Sequence, residues 1–230
     1  STGKGVAFCI NFAYEEMGKE IGKSTTVAIH GFGKVGIPAA HDLFEQGAKI
    51  VAVSDVSGGI YNANGLNPRD VEKWVKENRY IKGYPHADAI TNDELLALDV
   101  DVLIPAAIDG VVTKDNVHTI KARVIAEGAN GPLTREAIEY LSEKGVFIIP
   151  DILCNAGGVI VSYFEWVQGL QYFFWDLDQI NKKLYEMLKF AFKEVMFVQK
   201  KHNVDMKKAA FITALKRLQT AMRLRGMFPG

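Results

Sequence analysis

The sequence predicts an α/β fold: a doubly wound, mostly parallel sheet flanked by helices, with a helix before it and an all-helical tail after it. Three observations carry that expectation. Between positions 26 and 149, short β-branched runs alternate with stretches of helical periodicity, the pattern of a parallel sheet. The first run, Thr26-Val-Ala-Ile-His30, leads straight into Gly31-Phe32-Gly33-Lys34-Val35-Gly36, a turn that opens a helix. Beyond Pro150 the strand-like runs stop, and apolar residues recur only at helical spacing.

At the start of the chain, Val6, Ile10, Ala13, Met17 and Ile21 recur at helical spacing, and Gly22 is positioned to end that helix. A strand over 26–30 is followed by a helix over 34–46, a strand over 49–54 and a turn at Gly58-Gly59. Asn67-Pro68 marks the start of a helix over 68–78, because proline suits the first helical turn. Segments 100–104, 123–126 and 145–149 read as buried strands, with a helix over 134–144 before the last. Their carboxyl-end turns are Pro105-Ala106-Ala107, Gly128-Ala129-Asn130-Gly131-Pro132 and Pro150-Asp151. In an open α/β sheet that edge binds ligands. The aromatic-dense stretch over 163–175 exceeds one helical stripe, so it either packs in the core or partly faces another domain or subunit. Leu177, Ile180, Leu184, Leu188, Ala191, Val195 and Val198 then trace an apolar helix face, and Lys200-Lys201-His202 reads as its solvated end. A last helix over 206–224, with Asp205 as its N-cap, runs up to Gly226.

Composition narrows the function classes. With 48% hydrophobic residues, a chain of 230 can bury a substantial core. Lys+Arg and Asp+Glu both number 27, and this zero net charge argues against a nucleic-acid or anionic-membrane binder. No apolar run approaches the ~20 residues of a bilayer span, and the first residues do not read as a signal peptide, so the expected address is cytoplasmic. Cys9 and Cys154 belong to no Cys/His cluster; they read as buried free thiols, and no metal site is expected.

Strand, glycine turn, helix and a spaced acid together form a Rossmann-like dinucleotide fingerprint. Gly31 allows the tight turn, Gly33 lets the backbone approach a pyrophosphate, and Gly36 lets the helix pack closely on the strand. Unpaired N–H groups at the helix start and the helix dipole favour the phosphate charge. Asp55, nineteen positions after Gly36, can accept hydrogen bonds from the adenosine ribose. A 2′-phosphate at that point would meet repulsion, and Val56-Ser57 supplies no cation, so NAD is expected rather than NADP. Lys34 either faces the pyrophosphate as a counter-charge or lies in solvent with its stem on the helix.

Over essentially its whole length the chain resembles the dinucleotide-binding domain of the hexameric glutamate dehydrogenase family. The resemblance rests on Thr2-Gly-x-Gly5, Gly31-Phe-Gly-x-Val-Gly36, Val51-Ala-Val-Ser-Asp55 with Gly58-Gly-Ile-Tyr-Asn62, and Pro105-Ala-Ala107. Further along it rests on Glu127-Gly-Ala-Asn-Gly-Pro132, Pro150-Asp-Ile-Leu-x-Asn155-Ala-Gly-Gly-Val159 and Ser162-Tyr-Phe-Glu-Trp166. Lys34 departs from a common Asn, and His30 from a common Gln. The resemblance implies that Thr2 offers a hydroxyl near the nicotinamide amide, and that Asn130 and Asn155 contact the nicotinamide end and its ribose. It also implies that Gly31, Phe32, Gly33, Lys34, Val35 and Gly36 form the cofactor turn, and that Ala106 and Ala107 let backbone approach the cofactor. Val159 and Ser162 would lie against the distal carboxylate of glutamate. Read without the resemblance, Asn130 could simply supply a turn, Asn155 could cap the following helix, and Ser162 could bond its own backbone.

The implied reaction is oxidative deamination of L-glutamate to 2-oxoglutarate and ammonia, with hydride passing to NAD, in a homohexameric parent enzyme. That chemistry needs a lysine of lowered pKa and a carboxylate acid/base, which the family draws from a substrate domain preceding the Thr-Gly-x-Gly motif. No catalytic residue is therefore assigned here, and Lys114-Asp115 and Asp109 read as exposed turn residues. The expectation is an NAD-binding domain over 1–202 and a C-terminal helix over 203–230 packing back toward the substrate domain. By itself such a chain binds NAD and turns over little or no glutamate. Two other readings stay open: a stand-alone NAD(H)-binding module that senses or binds a partner, and the cofactor domain of a hydrophobic amino-acid dehydrogenase.

Overall fold

The computed structural model describes residues 1–226; the final four positions of the expected C-terminal helical segment lie outside the described residues. Seven strands form one sheet: β1 (Thr26–His30), β2 (Lys49–Asp55), β3 (Gly58–Tyr61), β4 (Asp88–Ile90), β5 (Val102–Pro105), β6 (Val124–Ala126) and β7 (Phe147–Ile149). Nine α-helices accompany them among the described residues: α1 (Thr2–Glu16), α2 (Gly36–Glu45), α3 (Pro68–Asn78), α4 (Asn92–Leu96), α5 (Arg135–Glu143), α6 (Asp151–Cys154), α7 (Gly157–Gln171), α8 (Leu177–His202) and α9 (Met206–Arg225).

The strand order is β4-β3-β2-β1-β5-β6-β7. β1 pairs in parallel with both β2 and β5, so the chain reverses its direction of travel across the sheet between β1 and β5. That reversal creates a crevice at the strands' carboxyl ends. Only β3 runs against the others, through antiparallel pairing with β2 and β4. The two edge strands, β4 and β7, are three residues long.

Alternate side chains of a strand point to opposite faces, and each face has its own core. Val27, Ile29, Val102 and Ile104 pack on one side with Ile10 and Phe12 of α1 and Leu184, Leu188 and Phe192 of α8. Ala28, Leu103 and Ile125 face Leu95 of α4 and Ala137 and Leu141 of α5 on the other. A register shift in the β1–β2 ladder pairs Val27 with Ile50 but Ala28 with Ala52. The extra residue puts Val51 and Ala52 in the same core and brings Ser54 level with His30, beside the glycine turn.

The first helix stops at Glu16 rather than running on to Gly22. Gly18 adopts φ +65°, and Lys19 N–H closes back on Tyr14 O at 2.9 Å, so the left-handed glycine ends the helix. Met17 and Ile21 still pack against the core, from the loop. Gly58-Gly59 is strand rather than turn; the reversal falls at Val56-Ser57, where Asp55 holds Ser57. Asp205 caps its helix as expected, accepting from Lys208 N at 2.8 Å, and Asn67, before the proline, caps its own by accepting from Arg69 N at 3.0 Å. Cys9 and Cys154 are both buried free thiols. Within the aromatic stretch α7 ends at Tyr172, in the left-handed region at φ 52°. There Phe164 is buried edge-on to Trp175, while Tyr163, Trp166, Tyr172, Phe173 and Phe174 are exposed.

Tyr14 pins α1 over the amino end of the sheet. Burial, assisted by the charge of Asp101, pushes its hydroxyl up to about 12 from the ordinary 10.0. Because the folded value is the higher one, the stability linked to this proton is complete below pH 10 and lost as pH climbs toward 12. In urea melts across that window, the wild type should lose up to about 1.4 kcal/mol per pH unit more than Tyr14→Phe.

Candidate functional site

The glycine turn is anchored at the sheet's carboxyl edge. Gly31 N and Phe32 N both donate to Ser54 O, at 3.1 and 2.6 Å, tying the turn to the end of β2. Gly31 has φ +105°, and a Cβ there would lie 2.6 Å from Ala107 N, so the turn and the β5 end meet backbone to backbone. A Cβ on Gly36 would overlap Gly31 O, whereas one on Gly33 would meet nothing within 4 Å. Two glycines are thus required by packing, and the third faces open space. Phe32 buries its ring in the core, so this position offers only backbone to a ligand. Lys34 is exposed. The start of α2 carries neither a side-chain cap nor an acid in its first turn; Ile37 N donates to Gly33 O at 2.9 Å and Pro38 has no N–H, so the donors left for an anion are those of residues 33–36.

Asp55 stands at the end of β2 and is held from two directions. Oδ1 accepts from Ser57 N at 2.7 Å and Ser57 Oγ at 2.5 Å, while Oδ2 accepts from Ile81 N at 2.8 Å. One lone-pair direction of Oδ2 stays open to a ligand hydroxyl. Lys82, invisible to a local reading around Asp55, arrives at the same corner, its N–H 3.3 Å from Ser57 Oγ.

On the other side of the crevice, eight of the residues singled out by sequence line one cleft of ≈ 1130 Å³: Thr2, Val35, Ala106, Ala107, Asn130, Asn155, Val159 and Ser162. Asn155 Nδ2 donates to Asn130 Oδ1 at 2.7 Å, joining the turn after β6 to the end of α6. Asn155 therefore does not cap α7, whose N-cap is Ala156. Gly131, at φ +55°, supplies the turn beside Asn130. A Cβ on Gly158 would lie 2.5 Å from Thr2 Oγ1, so glycine there keeps the Thr2 hydroxyl at the cleft. Val159 and Ser162 are exposed on α7, one helical turn apart.

Three polar groups at this edge were assigned no role from the sequence. His30 and Ser54 are buried with Nδ1 and Oγ lacking partners, and burial lowers the pKa of His30 against a smaller opposing effect of Asp93. Glu127 is fully buried at the end of β6, and burial pushes its carboxyl up although Lys207 pulls it down. Among the described residues no cluster of three or more His, Cys, Asp and Glu is placed to hold a metal, and no helix is long and apolar enough to cross a membrane.

A parallel sheet with a glycine turn at its switch point and an acid ending the next strand is the Rossmann-like architecture of dehydrogenases. The family model for Glutamate/Leucine/Phenylalanine/Valine dehydrogenase matches residues 1–226, and the chain belongs to that family. It is 50% identical over 230 residues to the glutamate dehydrogenase of Thermotoga maritima, covering 100% of this chain and 55% of that protein. It superposes on the hetero-hexameric glutamate dehydrogenase of Thermus thermophilus in its Leu-bound form with TM-score 0.92 at 29% identity, covering 100% of this chain and 54% of the other. For the glutamate dehydrogenase of Peptoniphilus asaccharolyticus the TM-score is 0.84 at 31% identity, with 99% and 53% covered. The chain spans about half the length of the relatives it matches.

Proposed function

We propose that residues 1–202 are the NAD-binding domain of a glutamate dehydrogenase and that the helical segment 203–230 packs back toward a substrate domain supplied by the rest of a longer protein. The observation that carries this reading is the contrast among the glycines: Gly31 and Gly36 are closed by backbone, and Gly33 opens on space beside an uncapped helix start. Such a turn suits a pyrophosphate. Its backbone N–H groups would hold the phosphates, the open lone pair of Asp55 would accept from the adenosine ribose, and Asn130 and Asn155 would orient the nicotinamide end. When bound, the nicotinamide supplies hydride acceptance. The chain's own residues bind, orient and, through Val159 and Ser162, meet the distal carboxylate of L-glutamate. The parent enzyme is proposed to be a homohexamer acting in the cytoplasm, converting L-glutamate to 2-oxoglutarate and ammonia.

Asp55 also underlies the preference for NAD, since a 2′-phosphate beside it meets a fixed negative charge. Calorimetric titration of the purified chain tests the reading. Saturable NAD binding, at least about tenfold tighter than NADP, is expected. Binding of neither nucleotide would remove the cofactor role, and equal binding would remove the preference. A hydrophobic amino acid as substrate is the second reading, kept because the matched family spans leucine, phenylalanine and valine dehydrogenases. Assaying the longer protein with glutamate against leucine separates the two.

A further inference from the structure

Lys207, in the first turn of α9, is remote from the cleft in sequence, yet its ammonium lies 3.2 Å from Glu127 Oε2 and 3.4 Å from Asp151 Oδ1. These carboxylates belong to the two segments that carry the cleft asparagines. Glu127 follows directly on β6, three residues before Asn130, and Asp151 starts α6, one helical turn before Asn155. The segments are cross-clamped: Asp151 N donates to Glu127 Oε2 at 2.8 Å, and Gly131 N donates to Asp151 Oδ2 at 2.8 Å. The clamp thus contains two acids and one cation. Glu127 has no exposed side-chain surface and Lys207 only 21%, so their charges are poorly screened by water. Oε1 of Glu127 lacks a partner, which leaves that acid dependent on what reaches Oε2.

We infer that Lys207 is a positioning residue for the nicotinamide end of the cofactor, setting the separation of Asn130 and Asn155 by neutralising Glu127 and Asp151 between their two segments. This rests on the NAD reading proposed above. Without the ammonium, two carboxylates share one buried position and repel, and the segments separate at the point where Asn155 Nδ2 meets Asn130 Oδ1. The glycine turn and Asp55 lie across the crevice and have no bond to this clamp. The effect therefore falls on one half of the cofactor.

The test compares NAD with adenosine diphosphate ribose, which keeps the adenosine and pyrophosphate and lacks the nicotinamide. For Lys207→Met, NAD affinity should fall about tenfold while adenosine diphosphate ribose affinity stays within about twofold. Lys207→Arg should restore NAD binding. The groups facing Glu127 are Lys207 from α9 and Asp151 and the Cys154 thiol from α6. In Lys207→Met, NAD affinity should accordingly recover as pH falls, because burial already raises the Glu127 pKa and its protonation relieves the repulsion. If Lys207→Met does not fold, Lys207→Met/Glu127→Gln, which removes the cation and one acid together, should bind NAD within about twofold of the unaltered chain, and a selective loss of NAD in that double variant overturns the inference. In Lys207→Met alone, a parallel loss of both ligands, or a loss of neither, overturns the inference while leaving NAD binding by the unaltered chain intact. Failure of the unaltered chain to bind either ligand overturns the cofactor reading, and this one with it.

Discussion

Gly33→Ala should leave thermal unfolding essentially unchanged and weaken NAD binding about 10- to 100-fold, the loss of one hydrogen bond to a charged phosphate at ~1.5–3 kcal/mol. A Cβ at Gly33 meets nothing of the chain within 4 Å, so only a ligand can feel it. Gly36→Ala is the opposite case. Its Cβ would overlap Gly31 O and lie 3.1 Å from Ile29 Cγ2, in a turn already fixed by two hydrogen bonds to Ser54 O. Backbone must shift to admit it, at about 3 kcal/mol, lowering the melting temperature by about 10 °C. Calorimetric scans paired with NAD titrations of both variants check the contrast. Equal effects on stability, or undiminished NAD binding by Gly33→Ala, would contradict the phosphate reading of the turn.

Asp55→Ala should lower NAD affinity about tenfold and leave NADP affinity unchanged or improved, so that discrimination shrinks. The carboxylate that repels a 2′-phosphate is the same one that holds Ser57 and Ile81 N. Removing it strands those donors and should also cost about 2 kcal/mol of stability. The backbone of Lys82 meets this corner, its N–H donating to Ser57 Oγ at 3.3 Å, so its side chain is within the stretch a 2′-phosphate could recruit as a counter-charge once the acid is gone. Titrating both nucleotides into Asp55→Ala and Asp55→Ala/Lys82→Ala separates the two contributions. The double variant should lose whatever NADP affinity the single one gains, and an unchanged NAD-to-NADP ratio in Asp55→Ala would count against a role in cofactor choice.

Strands that are β-branched and buried on both faces were legible in the sequence, because nothing else explains such runs between turn residues. The antiparallel pair of β3 and β4 was not. Gly59 looks like turn chemistry but is strand, because a Cβ there would come 3.0 Å from Ile90 Cγ1 on the neighbouring strand. β4 has the pattern exposed, exposed, half-buried, so it lacks the apolar alternation that betrays a strand. Gly18, rather than Gly22, ends α1, and the apolar residues beyond it pack without being helical. For the site, glycine spacing and the asparagine segments led to the carboxyl edge of the sheet. The Glu127–Lys207–Asp151 clamp and the meeting of Asp55 with Ile81 and Lys82 join segments 24 to 80 residues apart, and no local pattern marks such partners.

The brevity of β4 and β7 governs how this chain behaves in a crowd. An open strand edge is a template for foreign backbone, but three residues offer too few ladder bonds to seed ordered growth, and β7 has α9 packed against it. Stickiness therefore resides in side chains rather than backbone, on the exposed rings of Tyr163 and Trp166 along α7 and of Phe173 and Phe174 in the turn that follows it. Any self-association through such a patch would be relieved by whatever masks the rings.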